Sequence, residues 1–126
     1  MNGINPGWLY LLGTVLFTVY GQLVIKWRVN VHGILPATTG EKVQFFLGLL
    51  FDPFIISGLG AAFVAALFWM ATLTKFQLST AYPFMSLSFV LVFVASVLLF
   101  HETVTPMKVL GLGAILIGMV LLSRGV

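Results

Sequence analysis

PFIISGLGAAFVAALFWMATLTKFQLSTAYPFMSLSFVLVFVASVLLFH, residues 53–101, carries a single charge, Lys75. The stretch is two uncharged runs, Pro53–Thr74 and Phe76–His101, joined around KFQL (75–78). A helix crosses a hydrocarbon core of about 30 Å with roughly 20 residues, so each run is long enough for one span. Met1–Ile25 is a third such run. Val109–Ser123 becomes a fourth if its helix begins at Pro106 and Lys108 snorkels to the interface. The expected fold class is an all-α membrane protein with four transmembrane helices.

Composition agrees. Hydrophobic residues make up 60% of the 126-residue chain and charged ones only 7%, too few to cover a soluble domain of this size. The net charge of +3 comes from basic residues scattered at helix ends, which read as membrane anchors and not as a nucleic-acid surface. The absence of cysteine excludes disulfides and thiolate metal sites. The first Lys, Lys26, follows the first apolar run, so that run is expected to be retained and not cleaved as a leader. No glycine-rich phosphate loop with a Lys, His/Glu metal spacing or nucleophile elbow is present. No catalytic residue, metal or cofactor is therefore assigned, and an ATP-driven pump is excluded within this chain.

The spans are expected at about 8–25, 54–74, 79–100 and 107–123, within one four-helix unit covering 1–126. The long first loop, Lys26 to about Lys42, contains Gly33, Pro36 and Gly40, which argue against a continuous helix. VQFFLGLLF (43–51) then reads as a short interfacial helix, with Asp52 as N-cap and Pro53 at N1 of the second span. One long helix kinked at Pro53 fits the same residues. Short turns make the second, third and fourth spans antiparallel neighbours. Lys26, Arg28, Lys42 and Lys108 fall on one face, Lys75 and Arg124 on the other, a small bias toward a cytoplasmic first loop.

In the first span Thr14, Thr18, Gln22 and Lys26 recur every four residues and share one slowly turning face. Gln22 is too polar to meet acyl chains cheaply; it either bonds another helix or lines a polar groove ending at Lys26. The third span offers Ser79, Tyr82, Ser86, Phe89, Phe93 and Ser96 along one face, with Pro83 removing the donor for the Ser79 carbonyl. Pro83 is either a functional kink or the punctuation of a helix start.

Ionisable residues gather at one end. Lys26 with Glu102 makes an ordinary interfacial ion pair, or Lys26 and Arg28 take a phosphate while Glu102 orients them or meets an amine. Lys75, on the opposite face, is a second phosphate candidate or a simple anchor. Trp69 is either packing or part of the groove wall, and His32 and Asp52 read as loop and cap residues. In the fourth span Gly111, Ala114 and Gly118 form a small-residue stripe, read as a dimer interface or as packing within one subunit. Gly58, Ala61, Ala62 and Ala65 of the second span are assigned mainly to internal packing.

GQLVIK (21–26), AYPFMSLSFV (81–90), HE (101–102) and GLGAILIG (111–118) together resemble the short four-helix members of the drug/metabolite transporter superfamily. They are most similar to the EamA-like subunits that flip aminoarabinose-phosphoundecaprenol. The resemblance covers nearly the whole chain but fails in the first loop. It implies a lipid-linked sugar phosphate as substrate, a bacterial inner membrane, and a homodimer or a heterodimer with a similar four-helix subunit. Thr18, Gln22, Trp69, Tyr82, Ser86 and Glu102 would line the path, with Lys26 and Arg28 on the phosphate. The sister family, the small multidrug resistance exporters, places a Glu three residues before the matching glycine. Here that glycine is Gly21 and the position holds Thr18, so proton-coupled export of amphipathic cations is the alternative. A non-transporting partner subunit is the third reading.

Overall fold

The computed structural model describes residues 5–124; residues 1–4 and 125–126 of the expected 1–126 unit lie outside it. It contains helices α1 (Pro6–His32), α2 (Thr39–Leu50), α3 (Pro53–Leu73), α4 (Leu78–Phe84), α5 (Ser86–Phe100) and α6 (Pro106–Arg124), and no strand among the described residues. Four spans are long and apolar enough to cross a membrane: α1, α3, α4 continued by α5, and α6.

α1 starts where the Asn5 side chain accepts the Gly7 amide at 2.8 Å, with Pro6 in the first turn. It does not stop near Ile25 as expected but continues to His32, so Lys26 and Arg28 are helical. The physical reason is plain. The first charge ends the hydrophobicity of the run, not its helicity, and KWRVNVH contains no helix breaker. Gly33 ends the helix with φ at 98°, a conformation that favours glycine.

α2 begins at Thr39, earlier than the expected residue 43. Thr38 accepts the Glu41 amide at 3.4 Å, a Thr-x-x-Glu cap that the apolar pattern alone does not reveal. Its exposed Phe46, Leu47 and Leu50 suit an interfacial helix. Asp52 caps α3 and Pro53 opens it, so α2 and α3 are separate helices and not one kinked rod.

α1 packs most extensively on α3. The core between them is built from Leu11, Val15, Ile55, Ala61 and Ala65, with Gly21 and Gly58 at the closest approach. A Cβ placed on Gly21 would lie 3.0 Å from the Gly58 carbonyl oxygen, so two backbones touch where side chains are missing. Nearby, Tyr20 Oη and Ser57 Oγ share a hydrogen bond of 3.0 Å.

The other side of α1 receives α5. Here the structure corrects the expected neighbour order. α3 meets the third span through α4, beside the turn, whereas α5 packs on α1 and α6. α6 leans on α4 and α5 and buries none of its residues. α1 is thus the central post, and a gap opens on the side of α6.

The Gly21–Gly58 contact sets a test. Gly21→Ala pushes a methyl against fixed backbone and is expected to destabilise by about 1–3 kcal/mol, the usual range for overpacking. Gly60→Ala enters open space and is expected to be neutral or stabilising by up to about 1 kcal/mol. Thermal unfolding in detergent compares the two, and equal effects would remove the close contact from the account.

Candidate functional site

The gap is an apolar groove dotted with polar side chains. One cavity of about 720 Å³ is lined by Thr18, Trp69, Tyr82 and Ser86, among others. A second, of about 690 Å³, is lined by Gln22, Ser96 and Glu102. They share Thr18, Ser88, Phe89 and Ile115, and so join into one groove between α1, α3, α4, α5 and α6. A third cavity of about 540 Å³ holds Lys75 and Gln77 and shares Ser79 and Leu122 with the first. The groove therefore runs from Glu102 at one end of the spans to Lys75 at the other.

The break in the third span shapes the middle of this track. Pro83 ends α4 at Phe84, Met85 makes a turn, and α5 restarts at Ser86. Met85 donates its amide to the Tyr82 carbonyl at 2.9 Å, and Ser88 to that of Met85 at 3.0 Å, so three-residue steps replace helical ones. Pro83 is therefore a real interruption and not only the mark of a helix start. Tyr82 and Ser86 flank it, and the Trp69 and Tyr82 rings meet edge-on at 6.0 Å.

Of the residues singled out from sequence, Thr18, Gln22, Trp69, Tyr82, Ser86 and Glu102 line the joined groove, and Lys75 lines its far end. Thr14 also faces it, but its hydroxyl donates to the Tyr10 carbonyl at 2.9 Å and is satisfied within its own helix. Lys26 stands at the rim, its Nζ 3.8 Å from a Glu102 oxygen. The two side chains are 49% and 42% exposed, and a pair that open contributes only about 0–1 kcal/mol. Gly111 and Gly118 line the groove wall and Ala114 is exposed. A Cβ on either glycine would meet nothing within 4 Å, so this stripe is not packed within the subunit.

Arg28 is engaged elsewhere. Its Nε donates to Asp52 Oδ2 at 2.8 Å, and its guanidinium lies 4.8 and 4.9 Å from the Trp27 and Phe54 ring centres. His32 Nε2 sits 2.8 Å from the same oxygen, while Asp52 Oδ1 accepts the Phe54 amide at 2.8 Å. His32 is a helical residue in this clasp and not part of a loop. Arg28 and His32 are four apart and share a face, a signal hidden by ending the first helix at Ile25. Asp52 is buried, which alone would push its carboxyl upward. The hydrogen bonds of His32, Arg28 and the Phe54 amide, with the Arg28 charge, outweigh burial and hold it at about 2 against an ordinary 3.8.

Two further residues were not singled out for the site. Lys108 lines the groove and donates its Nζ to the Thr103 carbonyl at 2.9 Å. His101 closes α5 in the left-handed region at φ 55° and ψ 36°, which turns the chain so that Glu102 reaches the groove. Non-glycine residues pay for that conformation, and His is among those that tolerate it.

A carboxyl lowered in the folded state contributes stability above its ordinary value and loses it as pH falls through the folded one. The unfolding midpoint in detergent is therefore expected to drop as pH falls from 3.8 toward about 2. Asp52→Asn should start lower and change less across that window; an unaltered acid profile would show that the clasp contributes nothing.

Similarity to known proteins completes the description. No family model and no solved structure matches the chain. The chain is 35% identical over 115 residues to "Probable 4-amino-4-deoxy-L-arabinose-phosphoundecaprenol flippase subunit ArnE" of Aeromonas hydrophila subsp. hydrophila, covering 91% of this chain and 95% of the relative. It is 36% identical over 119 residues to the protein of that organism named as probable subunit ArnF, covering 93% and 79%. To the probable ArnF of Photorhabdus laumondii subsp. laumondii it is 35% identical over 125 residues, covering 94% and 97%. A multi-pass membrane protein alike to both kinds of subunit along nearly its whole length, the chain belongs to the family of the ArnE and ArnF flippase subunits.

Proposed function

We propose that the chain is one subunit of a flippase that carries a polyprenyl phosphate bearing a sugar across the bacterial inner membrane, paired with a similar four-helix subunit. The observation that carries this reading is the groove itself, mostly apolar but set with polar side chains along its length, with a lysine beside each end. A phosphosugar head cannot enter hydrocarbon unaided, because unsatisfied polar groups there cost several kcal/mol each, by the usual ~ estimate. Thr18, Gln22, Tyr82 and Ser86 offer hydroxyl and amide partners along the way, and the Trp69–Tyr82 corner offers ring surface to a sugar. The polyprenyl tail needs no protein path and stays among the lipids.

Lys26 takes the phosphate at one mouth and Lys75 receives it at the other. Arg28 helps only indirectly, since Asp52 holds its guanidinium against α3. The weakly held α6, with its small stripe Gly111, Ala114 and Gly118 unpacked, supports a second subunit completing the wall. Because the relatives carry two different subunit names, a heterodimer is the favoured pairing. The chain moves its substrate and does not transform it. Net direction comes from consumption of the lipid on the far side.

Proton-coupled export of cations fits less well. Thr18 occupies the mid-span position where that mechanism needs an acid, and Glu102 stands at the exposed mouth instead.

A flip assay in proteoliposomes tests the phosphate role. Lys26→Ala is expected to slow transfer of the lipid-linked sugar about tenfold or more, the loss of one charge-assisted contact. Full activity would remove Lys26 from that role.

A further inference from the structure

The mouth of the groove needs more positive charge than the Lys26–Glu102 pair supplies. Those two side chains stand 3.8 Å apart and their charges cancel. A neutral pair gives an incoming anion no reason to stop there, and a phosphate placed on Lys26 alone would leave Glu102 uncompensated beside it. Arg28 cannot make up the difference, because Asp52 holds it. Among the described residues, the charged side chains lining the joined groove are Glu102 and Lys108, while Lys26 stands at its rim.

Lys108 is the cation left over. No carboxylate pairs with it among the described residues; its Nζ donates instead to the neutral carbonyl of Thr103 at 2.9 Å. An ordinary membrane anchor would reach out to water, but this side chain turns back toward the residue next to Glu102. Its backbone is fixed as well, the Lys108 amide donating to Thr105 Oγ1 at 3.2 Å. Nor does the position suit α6 itself. Lys108 lies in the first turn, at the positive end of the helix dipole, where a cation is disfavoured.

We infer that Lys108 is a further substrate-binding residue, the cation that gives the mouth its surplus charge and holds the phosphate jointly with Lys26. The inference rests on the flippase reading above for its ligand. With Lys108 counted, the mouth carries two cations against one carboxylate, so one positive charge is in surplus. A phosphate that joins a lipid to a sugar is a diester with one negative charge, and its arrival makes the mouth neutral. Lys108 then exchanges a neutral carbonyl for a charged oxygen, which is the stronger kind of contact. The two lysines come from different helices. Lys26 belongs to the firmly packed α1 and Lys108 to the weakly held α6, so the phosphate bridges the gap between them. Glu102 sets the limit on this hold. Without it, two surplus charges would grip the phosphate too firmly for a group that must move on.

The test uses the complex purified through this chain. Calorimetry in detergent, with empty micelles as the blank, measures binding of methyl farnesyl phosphate, a prenyl phosphodiester with one negative charge. Transport of a lipid-linked sugar is followed separately in vesicles. Lys108→Gln is expected to weaken diester binding about tenfold, the scale of one charge-assisted contact, and Lys108→Arg to keep it within about threefold. Glu102→Gln alone should tighten binding by about threefold or more, since it removes a like charge from beside the anion. The deciding variant combines Lys108→Gln with Glu102→Gln. It returns the mouth to a single surplus charge and should regain most of the lost affinity, which the loss of a mere membrane anchor would not allow. Unchanged binding in Lys108→Gln, or a double variant as weak as Lys108→Gln, would overturn the assignment, and continued transport by the unmutated complex would then leave the flippase standing. The expected binding pattern in a complex that moves no lipid-linked sugar would bring down the flippase reading and leave the anion site.

Discussion

Everything in this molecule hangs on the contact between α1 and α3 at Gly21 and Gly58. In lipid there is no water to drive helices together, so their association depends on close fit and a few hydrogen bonds. With both side chains absent, the backbones approach until a methyl group would meet a carbonyl oxygen. This fixes one flank of α1 against α3 and leaves the adjoining face, bearing Thr18 and Gln22, to border the gap beside α5 and α6. The groove exists because one pair of helices is tight and another is loose.

Charge is divided along the same lines. The last turns of α1 carry Lys26, Arg28 and His32, which serve different ends. Arg28 and His32 converge on a buried carboxylate and bind the helix to the start of α3. Lys26 turns toward the mouth of the groove and has only a long, exposed contact with Glu102. Enclosed charges of this kind are held in place, since removing one partner strands the other, whereas the exposed pair can open at little cost. The clasp and the groove mouth thus draw on separate cations two residues apart.

Much of this was legible in the sequence, and the gaps have physical causes. Spans are declared by uncharged length, which a bilayer enforces strictly, and the four-residue spacing of Thr18, Gln22 and Lys26 translates directly into a face. The cap at Asp52 followed by Pro53 was equally readable. What escaped was anything that apolarity does not encode. α1 continues past its first charge because only Gly33 can stop it. The Thr38–Glu41 cap advances α2 by a turn. The neighbour order failed because short loops fix adjacency at the turn alone; α1, distant in sequence from α5, inserted itself where α3 was expected. Arg28 was assigned by its charge, but its partner lies across the first loop and could be found only in three dimensions.

The length of α1 has one more effect. At 27 residues it measures about 40 Å, roughly two turns more than a bilayer interior needs. Those surplus turns stand clear of the hydrocarbon, and the Asp52 clasp lashes the end of α2 to them. α2 presents Phe46, Leu47 and Leu50, with Phe51 just beyond, to its surroundings, which makes it a float riding at the boundary between lipid and water. Mast and float together act as a depth gauge. They tie the depth of the chain to the same end of the spans at which Lys26 and Glu102 meet.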